Sequence, residues 1–187
     1  MDALLTALGL VFIAELGDKS MLLALAFATR YRPWPVFGGI ALAAFTMLGL
    51  STLVGAALGA ALPGRVLAIG GGLLFLVFGV WTLRPEDEPE DEVRELRGGS
   101  VLLGVTVAFM VAEFGDKTML ATIALAGNQP AIPTWLGASL GMTAASGIAI
   151  VVGAVLGARL PERATRIVAG LVFFLFGGLL LWEGLRG

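Results

Sequence analysis

Two short stretches hold most of the chemistry open to this chain. Ala14–Leu22 reads AELGDKSML and Ala112–Leu120 reads AEFGDKTML, each setting ionisable groups inside an otherwise apolar segment. The acids are Glu15 and Asp18 in the first stretch and Glu113 and Asp116 in the second. Lys19 and Lys117 follow, then the hydroxyls of Ser20 and Thr118. An ionised side chain at the centre of a spanning helix costs about 2.5–3.5 kcal/mol. Left apart in lipid, the six charges would cost on the order of 15–20 kcal/mol. They must therefore face one another or a water-filled cavity. Within each stretch Glu and Asp lie three residues apart and Lys four from Glu, which places all three as neighbours on one helical face. If the two faces converge, four carboxylates and two ammonium groups carry a formal −2 (two positive charges against four negative). One divalent cation neutralises that charge.

The donor set narrows the cation. The chain contains neither cysteine nor histidine, which removes disulfides, thiolate and imidazole ligands and histidine proton relays. The strong donors left are oxygens: the four carboxylates, the two hydroxyls and backbone carbonyls. Such a set suits Mg²⁺, Ca²⁺ and Mn²⁺. Met21 and Met119 close the two stretches; they are packing residues or thioethers that favour Mn²⁺ over the harder Ca²⁺. Gly17 and Gly115, inside the motif, either permit close helix packing or let the helix unwind so that carbonyls reach the ion. A network that merely fixes helix packing is the plainer alternative for the charges. Two symmetric copies, each with an unmatched carboxylate, favour a functional site. Carboxylates that release a metal in a low-dielectric site are expected to take up protons, because desolvation and mutual repulsion favour the neutral acid. The lysines are expected to swing onto the vacated acids.

The elements that must position these groups are membrane helices. Of 187 residues, 58% are hydrophobic and 14% charged, with a mean hydropathy of +0.94. A soluble domain of this length has too little interior for that much apolar surface, and the long apolar runs make the chain a polytopic α-helical membrane protein. Shifted by 98 residues, the sequence lies on itself without a gap: 29 of the 70 positions from 14 to 83 match those from 112 to 181. Each copy holds three apolar spans, near 3–29, 34–62 and 66–83, then near 100–127, 133–160 and 165–183, separated by proline-bearing turns. Three spans are an odd number, so the second copy enters the membrane from the opposite side. The expected fold is an all-α membrane protein of six transmembrane helices in two inverted-topology three-helix repeats, residues 1–83 and 100–187.

Arginine sets the expected orientation. Eight arginines (Arg30, Arg32, Arg84, Arg94, Arg97, Arg159, Arg163 and Arg166) fall on one side of this topology, and only Arg65 and Arg186 on the other. The first side is then cytoplasmic, and both termini lie outside a cell membrane, inner or plasma. Trp34, Trp81, Trp135 and Trp182 sit near span ends, as interfacial anchors do. Residues 84–99 form an acidic linker with seven carboxylates, read as a solvated cytoplasmic tether; a cation-attracting mouth is the sharper alternative. The first apolar segment lacks a basic start and is broken at Glu15, so it is read as a retained span rather than a signal peptide. Gly55/Gly59 and Gly153/Gly157 form G-x-x-x-G pairs, read as close helix contacts.

The doubled motif, Glu15-Leu16-Gly17-Asp18-Lys19-Ser20 and Glu113-Phe114-Gly115-Asp116-Lys117-Thr118, with the acidic linker between the copies, resembles the Gdt-type cation exchanger family. That family includes MneA-like bacterial manganese exporters and eukaryotic Golgi Ca²⁺/Mn²⁺ transporters. The resemblance covers nearly the whole chain. It implies export of Mn²⁺ and/or Ca²⁺ from the cytosol in exchange for protons, with Glu15, Asp18, Glu113 and Asp116 as metal ligands and Lys19, Lys117, Ser20, Thr118, Gly17 and Gly115 in support. The N-terminus before the first span is short, so no extra leading helix or targeting segment is expected. The expected partners are a divalent cation, protons and the lipid bilayer, with no nucleic acid; a homo-oligomer stays open. No prosthetic group is called for, and Mn²⁺ or Ca²⁺ is cargo. The rival transporter reading is a LysE-like exporter of a small amino acid or organic cation, against which stands the lack of an aromatic or apolar pocket signature near the acids. An enzyme is not expected, because no nucleophile–base pair exists without His or Cys. A channel fits inverted halves around a buried site less well than alternating access does.

Overall fold

The structure, a computed structural model, describes residues 2–84, 100–156 and 162–186, except for the side chains of 152–156, 162 and 165. The acidic linker expected at 84–99 therefore lies, beyond Arg84, outside the described residues, as do Arg159 and Gly157. Among the described residues eight helices follow one another: α1 (Asp2–Glu15), α2 (Lys19–Arg30), α3 (Pro33–Ala61), α4 (Gly64–Thr82), α5 (Val101–Glu113), α6 (Lys117–Asn128), α7 (Ala131–Leu156) and α8 (Glu162–Arg186). Helix is the form that lets every backbone polar group be satisfied within its own segment, which lipid demands. Proline marks the boundaries: Pro33 opens α3, where no earlier turn needs its missing N–H, and Pro63 precedes α4.

Among the described residues four helices are long and apolar enough to cross a membrane: α3, α4, Ala131–Val151 within α7 and Arg166–Arg186 within α8. The chain is a multi-pass, all-helical membrane protein. The expected spans 3–29 and 100–127 are not continuous helices. Each is two short helices, α1 with α2 and α5 with α6, interrupted at the charged motif. At 1.5 Å per residue none of these four reaches the ~30 Å of a hydrocarbon core.

Each copy of the sequence packs onto the other. α1 lies along α7 and α5 along α3, while α4 and α8 pack as a pair. Small residues allow the approach. A Cβ placed on Gly39 would lie 2.7 Å from the Leu102 carbonyl oxygen, and one on Gly137 would lie 2.2 Å from that of Leu4. These are the same contact with the copies exchanged, since Gly137 and Leu102 stand 98 residues after Gly39 and Leu4. The Gly55/Gly59 pair reads as expected: added Cβ atoms would stand 2.3 Å from the Ile123 carbonyl oxygen and 2.6 Å from that of Gly127, so α3 seats directly on α6. Between α4 and α8 the Phe75 and Phe78 rings meet Phe173 at 5.9 and 5.8 Å. Trp34, Trp81 and Trp182 are exposed, as anchors are. Trp135 differs: its indole N–H donates to the Phe45 carbonyl at 2.9 Å, so it ties α7 to α3.

Candidate metal centre

The motif is a turn, not a helical face. Asp116 N–H donates to the Glu113 carbonyl at 3.1 Å, Phe114 sits at φ −64°, ψ 120°, and Gly115 at φ +77°. Those values define a type II β-turn, whose third position needs a positive φ and hence glycine. The first copy repeats the bond, Asp18 N–H to Glu15 carbonyl at 3.2 Å, with Gly17 at φ +75°. Of the two roles open to these glycines, unwinding is the one observed. Nothing lies within 4 Å of a Cβ built on Gly115, so close packing is not what holds that position as glycine. The Glu and Asp of each copy are neighbours because they close a turn, not because they share a helix face.

The turn also disposes of the methionines. Met21 sulfur accepts the Gly17 N–H at 3.0 Å, and Met119 sulfur accepts the Gly115 N–H at 3.4 Å. The thioethers cap the turn backbone, which packing arguments alone do not foresee. The N-termini of α2 and α6 directly follow the turns, and their partial positive charge favours nearby carboxylates. Asp18 and Asp116 occupy the N-cap positions without making the usual side-chain cap bond. Their carboxylates point elsewhere.

They point across the copies. Lys117 Nζ donates to Asp18 Oδ1 at 2.5 Å, and Lys19 Nζ stands 3.8 Å from Asp116 Oδ1. The two pairs are one interaction with the copies exchanged. Glu15 is fully buried and accepts hydrogen bonds from Ser20 in its own copy and Thr118 in the other. One carboxylate oxygen from each of Glu15, Asp18, Glu113 and Asp116 lies within 4.8 Å of the others. All four expected acids therefore meet, with both lysines and both hydroxyls around them. Both oxygens of Glu113, Asp18 Oδ2 and Asp116 Oδ2 are buried with no hydrogen-bond partner among the described residues. A buried acceptor left so is costly unless a cation or water takes it up. Several acids sharing a few ångströms are what a hard divalent cation compensates.

A family model described as divalent cation/proton antiporter GDT1 matches residues 3–90 and 101–187. The chain belongs to the GDT1 family. Among its relatives, a GDT1-like protein of Synechocystis sp. is 33% identical, the alignment covering 97% of this chain and 98% of the relative. A protein of Vibrio cholerae provisionally named a manganese exporter is 32% identical over 94% of this chain and 88% of its own length. The "GDT1-like protein 3" of Arabidopsis thaliana is 27% identical over 94% of this chain and 69% of its own. No solved structure matches the chain. Membership in the GDT1 family makes the protein a transporter of divalent cations, with the metal as cargo, rather than an enzyme.

Proposed function

We propose that Glu15, Asp18, Glu113 and Asp116 ligate a transported Mn²⁺ or Ca²⁺, which the protein exports from the cytosol in exchange for protons. The observation that carries this reading is the convergence of four carboxylates, one oxygen of each within 4.8 Å of the rest, around acceptor oxygens that lack a partner. One divalent ion and two protons carry the same charge, so either species offsets the cluster's formal −2. Lys117 and Lys19 hold one oxygen of Asp18 and Asp116 and leave the other for the ion. Metal arrival requires proton departure, because a protonated carboxyl is a poor ligand.

In this reading α1 with α2, and α5 with α6, each form one broken span, giving six spans in two inverted repeats, 1–83 and 100–187, joined by a cytoplasmic linker at 84–99. The exchanged contacts at Gly39 and Gly137 and the crossed lysine–aspartate pairs support that symmetry. The motif then lies at the membrane midplane between half-helices, where secondary transporters keep their sites. The arginine distribution supports both termini lying outside a cell membrane.

The test is Mn²⁺ and radiolabelled Ca²⁺ flux into proteoliposomes under an imposed pH gradient, with a pH dye in the lumen. Wild type is expected to move metal with opposite proton movement, and Glu113→Gln and Asp116→Asn to lose both. Undiminished flux in both variants would refute the ligand assignment, and metal flux with no proton movement would refute the exchange.

A further inference from the structure

Serine and threonine hydroxyls inside helices usually donate to the carbonyl one turn back. Ser51, Thr52, Thr122 and Thr134 do so here, at distances from 2.7 to 3.0 Å. Three hydroxyls of α7 do not. Ser139, Thr143 and Ser146 are 0%, 8% and 1% exposed, and each hydroxyl oxygen is buried with no hydrogen-bond partner among the described residues. Spaced four and three residues apart, they occupy one face of the helix over about 10 Å. Leu140, Ile148 and Val151 mark the exposed face of α7, so the hydroxyls look into the bundle. α7 packs against α1, α3, α2 and α6; of these α1 ends, and α2 and α6 begin, at the turns that carry the carboxylate cluster. The other copy has no counterpart: 98 residues earlier stand Ala41, Phe45 and Leu48.

We propose that Ser139, Thr143 and Ser146 line a file of water along the inner face of α7, and that this file is the route by which protons reach the carboxylate cluster. Residues one turn apart on a helix stand about 5–6 Å from each other, a gap that one water bridges with two ordinary hydrogen bonds. Three buried hydroxyls without such partners would each cost about 1–3 kcal/mol. Gly137 sits on Leu4 and Gly141 on Leu8 and Phe12, so α7 runs alongside α1 in the same direction and Ser146 lies toward the Glu15 end, where the cluster keeps buried acceptor oxygens without a partner among the described residues. Protons pass by transfer from one oxygen to the next, leaving no charge behind. The proton role rests on the exchange reading above; the water does not.

The chain has no cysteine, so single thiols report directly. Ser146→Cys, treated with a membrane-impermeant thiol reagent on the side where α7 begins, is expected to react about tenfold faster than Leu48→Cys, since an apolar burial silences a thiol. An unreactive Ser146→Cys in protein that still binds Mn²⁺, or a Leu48→Cys that reacts as fast, overturns the proposal. Wild-type protein gives a check without substitution. Met142 shares the hydroxyl face and Met47 lies in α3, at 2% and 5% exposure. Hydroxyl radicals generated from water are expected to oxidise Met142 faster; equal or slower oxidation overturns the water file. Ser139→Ala/Ser146→Ala is expected to slow proton-coupled flux several-fold with Mn²⁺ binding unchanged. Unchanged flux, or lost Mn²⁺ binding, overturns the route. Failure of the carboxylate reading is seen separately, in Mn²⁺ binding by Glu113→Gln.

Discussion

The two copies of the motif share a sequence and differ in their bonds. Asp18 and Lys117 are in contact at 2.5 Å, with side chains 3% and 8% exposed; Asp116 and Lys19 stand 3.8 Å apart at 12% and 43%. Glu15 accepts hydrogen bonds from both Ser20 and Thr118, and Glu113 from neither. The cause is elementary. A hydroxyl carries a single proton, so two hydroxyls between two glutamates can serve one of them fully and leave the other bare. A symmetric sequence need not give a symmetric site when its donors are fewer than its acceptors.

Substitutions can break that inequality, starting with the glutamates. Glu113→Gln is expected to weaken Mn²⁺ binding by about a hundredfold or more, above what losing a supporting partner does, with little change in melting temperature. Glu15→Ala should lose both binding and stability, because two buried hydroxyls lose their acceptor at about 1–3 kcal/mol each. Calorimetric Mn²⁺ titration and thermal unfolding in detergent separate the two effects. Equal melting losses in both variants would show that the glutamates are equivalent after all.

Among the aspartates, Asp18→Asn strands the buried Lys117 ammonium and is expected to cost about 3–5 kcal/mol. Adding Lys117→Met should restore much of the loss, since replacing both partners removes the stranded charge. Asp116→Asn faces a half-exposed lysine and is expected to cost under about 1 kcal/mol, while still impairing Mn²⁺ binding. Denaturation midpoints of the three variants test the order. Between these extremes lie the glycines. Gly55→Ala would push a methyl to 2.3 Å from the Ile123 carbonyl oxygen, an overpacking worth about 1–3 kcal/mol. Gly115→Ala meets nothing in space and pays only for its positive φ, about 1–2 kcal/mol, but distorts the turn that aims Asp116. It is therefore expected to lower Mn²⁺ affinity more than Gly55→Ala does, as paired titrations would show.

Much of this was legible in the residues. The apolar runs, the 98-residue repeat and the cost of isolated charge in lipid were enough to require membrane helices and a meeting of Glu15, Asp18, Glu113 and Asp116, because burial of charge is penalised whatever the detailed geometry. The G-x-x-x-G contact of Gly55 and Gly59 followed from residue size alone. The break of each motif span did not follow, since apolar periodicity is the same on either side of Gly17 and Gly115 and only the backbone angle tells a packed glycine from a turning one. The Trp135 bond did not follow either, because nothing local to that residue announces the Phe45 carbonyl, which belongs to the other copy. Which lysine holds which aspartate, and which glutamate receives both hydroxyls, depends on how the copies dock. Composition decides that the charges must meet; only long-range packing decides who meets whom.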